Sequence, residues 1–226
     1  MDNKKWKQGL IKELSKAHQV FVIFGKKSIF AHIRTYLDRR HNTDIHKRLS
    51  INNNNGRVRT VKFLKENNIP YLKTKNINDN KTLQTVKRLC PDFGILAVDH
   101  LIGKKVIDSI PVILNAHYGN LPGIKGWNAT EWSILVERNL NVCVHKVEKK
   151  VDNGPIYLRE AVQIHSNDDF ETLRFKSQEI AKKLYMKFFS DPDYYLHNPL
   201  PNQVHKNYYL MNNQLKEIAG RLIGSL

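Results

Sequence analysis

Apolar residues along the chain recur in two arrangements. Leu10, Ile11 and Leu14 fit one face of a helix, and the unbroken run Val20-Phe21-Val22-Ile23-Phe24, stopped by Gly25, has the content of a strand covered on both faces. Ser28 to Arg40 returns to helical spacing through Ile29, Ile33, Tyr36 and Leu37, with Ser28 as cap. The run Asn52 to Gly56 reads as a loop, Val58, Val61, Phe63 and Leu64 as the next helix, and Tyr71-Leu72 as a strand after Ile69-Pro70. Leu83, Val86 and Leu89 then space a helix that ends at Cys90-Pro91. Phe93 to Val98 and Val112 to Ala116 read as doubly buried strands, and Ile102, Val106 and Ile107 as a short helix between them. Strand and helix alternating over about 120 residues predict an α/β fold, an open, mostly parallel twisted sheet with helices on both faces. In such sheets ligands sit at the carboxyl ends of the strands.

The second half is patterned differently. Glu131 to Glu137 reads as a helix, Val142 to Val147 and Tyr157 to Ile164 as strands, and Asp168-Asp169 as the cap of a long amphipathic helix through Leu173, Ile180, Leu184, Met186 and Phe188. From Ser190 to Asn207, with three prolines and several aromatics, no period is visible, and Leu215 to Leu222 closes the chain as a short helix. This divides the sequence into residues 1–189 and a short extension, 190–226.

Composition changes the picture in one respect. Of 226 residues, 37 are Lys or Arg and 21 are Asp or Glu, giving a net charge of +16. Residues 1–75 hold 18 basic and 5 acidic side chains, whereas the remaining 151 hold 19 and 16. A surplus so placed suits an anionic partner, whether nucleic acid, lipid headgroup or phosphorylated metabolite, and equally a solvated basic face. With 41% hydrophobic residues a sizeable core is available. No apolar run reaches the roughly 20 residues of a membrane span, the start lacks the apolar stretch of a signal peptide, and two cysteines make no disulfide framework. Together these predict a cytoplasmic protein with no membrane partner.

Two constellations fall at predicted strand ends. Asn115 and His117 lie two apart at the end of a strand, so both point to one side, and Leu121-Pro122-Gly123 turns the chain just after. The second is a turn, Lys150-Val151-Asp152-Asn153-Gly154-Pro155-Ile156. An amide donor, an imidazole and a carboxylate meeting in one crevice are what acyl transfer to an amine requires. The amide donates to the oxyanion of a tetrahedral intermediate, the imidazole donates to the same oxyanion or carries protons, and the carboxylate fixes the imidazole's charge state or accepts the amine's proton. The same residues also serve as ordinary turn formers and satisfied polar groups.

The run Asn115-x-His117 with Leu121-Pro122 and Gly126, then Trp132-Ser133-Ile134-Leu135, then His145 with Asp152-x-Gly154-Pro155-Ile156, resembles the catalytic domain of the formyltransferases that use 10-formyltetrahydrofolate. Asp152 follows Asn115 by 37 residues, a separation similar to that family's. The resemblance is strong from about Pro91 to Phe189 and architectural before that. It implies a Rossmann-like formyltransferase domain with Asn115, His117 and Asp152 as the catalytic residues and no metal. It places the pterin of the formyl donor against Ala97, Val98, Asp99, His100, Leu101 and Ile102, largely through backbone groups, and near Val151. One departure is that many relatives read His-Pro-Ser-Leu-Leu-Pro where this chain has His117-Tyr118-Gly119-Asn120-Leu121-Pro122.

Among branches of that family, the run Gly126 to Leu135 is most similar to enzymes acting on nucleotide-linked amino sugars, dTDP- or similarly linked, of the kind that serve lipopolysaccharide or O-antigen biosynthesis. Trp127 would then meet the substrate, and Lys26, Lys27, Arg57 and Arg59 would neutralise its diphosphate. Only 37 residues follow Phe189, short of the C-terminal barrel expected of a relative acting on initiator tRNA. The glycinamide ribonucleotide enzyme is the alternative, although Phe24-Gly25-Lys26-Lys27-Ser28 lacks its Gly-Ser-Gly type of loop. A non-catalytic relative gripping an anion or nucleic acid is the second alternative, against which stands the lack of any nucleic-acid motif. Tyr208 and Tyr209 suit stacking on a base or sugar, and the aromatic C-terminal segment suits either a homodimer contact or packing on its own sheet.

Overall fold

The computed structural model describes residues 5–25, 53–97, 101–203 and 206–226, except for the side chains of 5, 25 and 53–59. The helix read over Ser28 to Arg40 lies outside the described residues. The chain divides into two compact units. Helix α1 (Lys5–Leu14) opens the described chain and buries Trp6, Leu10 and Leu14 at four-residue spacing.

In the unit of Ile11–Cys90 and Val98–Ser109, strand β1 (Val22–Gly25) pairs in parallel with β2 (Tyr71–Thr74), Val22 opposite Tyr71. Helices α2 (Asn53–Glu66), α3 (Asn80–Leu89) and α4 (Lys104–Ile107) complete it. Asn53 to Gly56, expected in a loop, begin α2 instead, because poor helix formers are tolerated in a first turn that a longer helix carries. Helix α3 starts at Asp79, whose carboxylate accepts from Thr82 N at 2.7 Å and from the Thr74 hydroxyl. Its buried side is Thr82, Thr85 and Val86, and Leu89 is exposed. Thr85 can face inward because its hydroxyl bonds back to Lys81 O at 2.8 Å.

The unit of Met1–Leu10, Pro91–Ala97 and Ile110–Leu226 holds a four-stranded sheet in the order β3-β4-β6-β7. Strand β3 (Phe93–Leu96) runs parallel to β4 (Val112–Tyr118), which is antiparallel to β6 (Asn141–Lys146), itself antiparallel to β7 (Ile156–Ala161). A further pair, β5 (Lys125–Gly126) with β8 (Asn207–Tyr208), is parallel. The architecture is therefore α/β, parallel in three of the five ladders among the described residues.

Helices α5 (Ala129–Glu137), α6 (Phe170–Ser190), α7 (Pro192–His197) and α8 (Asn213–Ile223) belong to the same unit. Strand β6 is its centre, with Val142, Cys143, Val144 and His145 all buried. Asp169 caps α6, accepting from Thr172 N at 2.7 Å, and the helix packs on β4, β6 and β7 with Leu173, Ala181, Leu184, Tyr185 and Phe188 buried. Each such fully buried large side chain contributes roughly 1.5–3 kcal/mol. The aperiodic stretch after Ser190 folds as α7, capped by Asp191, and then returns to the sheet through Leu200, bonded to Ile156 O at 2.7 Å. No helix among the described residues is long and apolar enough to cross a membrane.

Candidate active site

Strand β4 sets the first two candidate residues. Asn115 stands opposite His145 and His117 opposite Cys143, so the period of two brings all four to one face of the β4–β6 pair. The register of β6 against β7 shifts between Val144 and His145, an irregularity of the kind that re-aims a side chain at a strand end. Asn115 Nδ2 lies 3.3 Å from His145 Nε2. His145 Nδ1–H donates to its neighbour's carbonyl, Lys146 O, at 2.9 Å, which leaves Nε2 to accept from the Asn115 amide.

Asp152 arrives from the turn after β6. Its backbone is left-handed, at φ 51°, and its side chain is only 10% exposed. One carboxylate oxygen, Oδ2, lies 3.4 Å from His117 Nδ1 and accepts from Gly126 N at 3.1 Å, while Oδ1 lies 3.6 Å from His145 Nε2. His117 Nε2–H donates to Ile124 O at 2.9 Å, so a neutral ring turns an unprotonated Nδ1 toward the carboxylate. Asn115, His117 and Asp152 thus share one polar cluster, and His145 bridges Asn115 to Asp152.

The electrostatics follow from burial. His145 is pushed down to about 4 chiefly by desolvation, against the opposing pull of Asp152. Lys125 is 2% exposed and donates to Asn153 Oδ1 at 3.0 Å; burial lowers its pKa against the pull of Asp152. The Asp152 carboxylate therefore faces two imidazole nitrogen lone pairs with only one backbone N–H on Oδ2. That arrangement suits a group that is to receive a proton.

The departure at Gly119 also has a physical account. A Cβ there would sit 2.6 Å from Ala129 Cβ and 2.9 Å from His117 Nε2, so a serine does not fit in this packing. Asn120 holds the loop in its place. Its Nδ2 donates to Glu137 Oε2 at 2.7 Å and to Asn139 Oδ1 at 2.5 Å, and its Oδ1 accepts from Asn141 N at 2.7 Å.

The other candidates divide. Ala97 follows β3, and its carbonyl accepts from Lys7 Nζ at 2.5 Å. Val98, Asp99, His100, Lys26 and Lys27 lie outside the described residues. Leu101 is exposed, with its carbonyl accepting from Asn78 Nδ2 at 3.1 Å, and Ile102 is half-buried beside it. Arg57 and Arg59 fall in α2, where only the backbone is described. Val151 is exposed next to Asp152, and Trp127, 47% exposed, follows Gly126. Four residues to which the sequence assigned no catalytic or binding role, His145, Lys125, Gly126 and Asn202, all touch the Asp152 turn. His145 and Gly126 carried a signal, as parts of the motif, whereas Lys125 and Asn202 carried none of their own. Among the described residues no three His, Cys, Asp or Glu side chains are grouped to hold a metal ion.

Residues 3–189 match the family model described as formyl transferase. The chain belongs to that family. It is 30% identical over 127 residues to a methionyl-tRNA formyltransferase of Kosmotoga olearia, a match covering 55% of this chain and 41% of that protein. The chain thus spans about two-fifths of the length of this curated relative. Among solved structures, a phosphoribosylglycinamide formyltransferase from Bacillus halodurans aligns with a TM-score of 0.59 at 23% identity, covering 84% of this chain and 92% of that one. The formyltransferase PseJ of Anoxybacillus kamchatkensis, solved with UDP-4,6-dideoxy-4-formamido-L-AltNAc and tetrahydrofolate, aligns with a TM-score of 0.54 at 17% identity, covering 90% and 97%. These likenesses fix the fold as that of the formyltransferases.

Proposed function

We propose that this formyltransferase-family protein moves a formyl group from 10-formyltetrahydrofolate to the amine of a nucleotide-linked amino sugar. The observation that carries the reading is the meeting of Asn115, His117 and Asp152 in one buried cluster, with the carboxylate facing two imidazoles. The donor set fits a formyl-carrying folate. One N–H of the Asn115 amide is held by His145, which leaves the second to meet a carbonyl oxygen.

When bound, the folate supplies a formyl carbon on nitrogen, from which acyl transfer to an amine releases tetrahydrofolate. Asn115 donates to the formyl oxygen as negative charge develops on it, an interaction typically worth 10²–10³-fold in rate, about 3–4 kcal/mol. Asp152 accepts the proton that leaves the attacking amine and returns one to the folate nitrogen as its bond to the formyl carbon breaks. His117, whose Nε2–H is committed to Ile124 O, takes up and returns protons at Nδ1 and so acts through Asp152. His145 stays neutral and keeps the Asn115 amide in one orientation.

For the acceptor, the support is the run Gly126 to Leu135 and the half-exposed Trp127, one residue from the N–H that holds Asp152. An indole so placed suits stacking on a base or sugar. PseJ is a precedent for such an acceptor on this fold. A second reading, methionyl-tRNA as acceptor, is favoured by the sequence match to the Kosmotoga enzyme. The test is purified protein with 10-formyltetrahydrofolate and three acceptor classes, UDP- and dTDP-linked amino sugars, glycinamide ribonucleotide and methionyl-tRNA, following release of tetrahydrofolate. Turnover on a sugar alone supports the first reading. Turnover on methionyl-tRNA or glycinamide ribonucleotide alone replaces the acceptor, and none on any acceptor ends the enzymatic reading.

A further inference from the structure

The family match ends at residue 189, yet two features beyond it converge on the turn that carries Asp152. Asn202 Nδ2 donates to the backbone carbonyls of Asp152 at 3.3 Å and Gly154 at 2.5 Å. The other end of the same amide, Oδ1, is buried without a hydrogen-bond partner. Turning the amide over would set Oδ1 against two carbonyl oxygens, so the two donations dictate its orientation and the orphaned acceptor is their cost. Two residues earlier, Leu200 N–H is tied to Ile156 O at 2.7 Å, which anchors the tail beside the same turn.

The second feature is β8. It lies parallel to β5, Trp127 N–H donates to Tyr208 O at 3.0 Å, and a Cβ on Gly126 would lie 2.4 Å from that same oxygen. Gly126 stands at φ 96°, where glycine alone is at ease, and its N–H is the one that holds Asp152 Oδ2. Trp132 Nε1–H fixes the next tail residue through Tyr209 O at 2.8 Å. The tail therefore reaches Asp152 twice, on its backbone through Asn202 and on its carboxylate by way of β5. Asp152 gains from such support, since a left-handed backbone costs an aspartate more than it costs a glycine.

We propose that Asn202 is a positioning residue for Asp152, and that residues 200–203 and 207–208 are a working part of the active site. The proposal rests on the formyl-transfer reading above. Its test uses the full chain as wild type, Asn202→Ala, the isosteric Asn202→Asp, and Asn198→Ala as a control in the same tail that does not touch the turn. Amide hydrogen exchange is read by mass spectrometry, and kcat and KM are measured with 10-formyltetrahydrofolate and the acceptor that turns over in the three-class assay. The proposal expects faster exchange confined to the segments around residues 150–156 and 124–127 in both Asn202 variants. It also expects kcat to fall by about ten- to a hundredfold, the scale of a misplacement near 1 Å, with both KM values within about twofold and Asn198→Ala like wild type. Asn202→Asp keeps the volume but sets a carboxylate against the two carbonyls, so its loss should match or exceed that of Asn202→Ala.

Unchanged exchange in the turn overturns the proposal whatever the activity. Faster exchange with unchanged kcat overturns it too, because the clamp would then serve stability alone. A wild type that is silent on every acceptor while the turn still responds to Asn202 overturns the formyl-transfer reading and the catalytic half of the proposal with it.

Discussion

His145 links the site to folding stability in a way that pH can read. Burial pushes its imidazole from an ordinary 6.5 down to about 4, so the unfolded chain binds this proton more readily than the folded one. The stabilisation is complete above about pH 6.5 and is lost as the pH falls through 6.5 toward 4. A depression of this size corresponds to about 3 kcal/mol when fully lost, of which about 2 kcal/mol is gone by pH 5. Carboxylates depressed in the folded state, such as Asp79 and Asp169, lose their contributions only below about 3.8 and leave the window from pH 7.5 to 5 clear. The assay is urea unfolding of wild type and His145→Gln across that window. The variant is expected to be less stable at pH 7.5, and the gap should narrow by about 2 kcal/mol by pH 5, because only wild type bears the cost of the buried proton. Two profiles that stay parallel from pH 7 to 5 would refute the buried, neutral ring and with it the acceptor role of Nε2 toward Asn115.

Three further outcomes follow from the same geometry. Asn115→Ala, His117→Ala and Asp152→Ala should each lower kcat by about 10²–10⁴-fold in the tetrahydrofolate-release assay, with far smaller changes in urea midpoint; rates within a factor of three of wild type would remove the residue from the mechanism. Asn120→Ala strips the donor from Glu137 and Asn139 and leaves the Asn141 N–H without its acceptor, so denaturant unfolding should show a loss of about 2–3 kcal/mol. Asp79→Ala removes the α3 cap and should cost about 1 kcal/mol at pH 7. Because hydrogen bonds from Thr74 and Thr82 hold that carboxyl below its usual range, the difference between variant and wild type should fade as the pH drops below 3.8.

What the sequence made legible were features whose cause is local. The apolar run before Asn115, the two-residue spacing to His117 and the Asp169 cap each act within a few positions, and β4 and α6 stand where those signals put them. The Asn52 to Gly56 run misled because a helix continuing to Glu66 outweighs four poor formers at its start. Helix α7 went unseen because its six residues bury none of their number completely and so leave no apolar stripe. The role of His145 was hidden for a different reason. Its position opposite Asn115 is fixed by how β6 pairs with β4, thirty residues apart, and periodicity carries no register between strands.

Asn202 shows the furthest reach of that limit. Nothing in an Asn between Pro201 and Gln203 distinguishes it from any loop amide, and its meaning comes wholly from fifty residues upstream, where Asp152 stands in a left-handed backbone conformation. Asp152 is thus flanked by His117 of β4 and His145 of β6, held at its carboxylate by the Gly126 N–H of β5 and at its backbone carbonyl by Asn202 of the tail. Two of those four contacts join side chains alone and two involve the main chain, as donor at Gly126 and as acceptor at Asp152, so contacts between side chains make only half of the site. The other half is the course of the chain itself, which explains why a motif names Asn115, His117 and Asp152 while the geometry that lets them act together has to be built by strands and a tail that the motif does not contain.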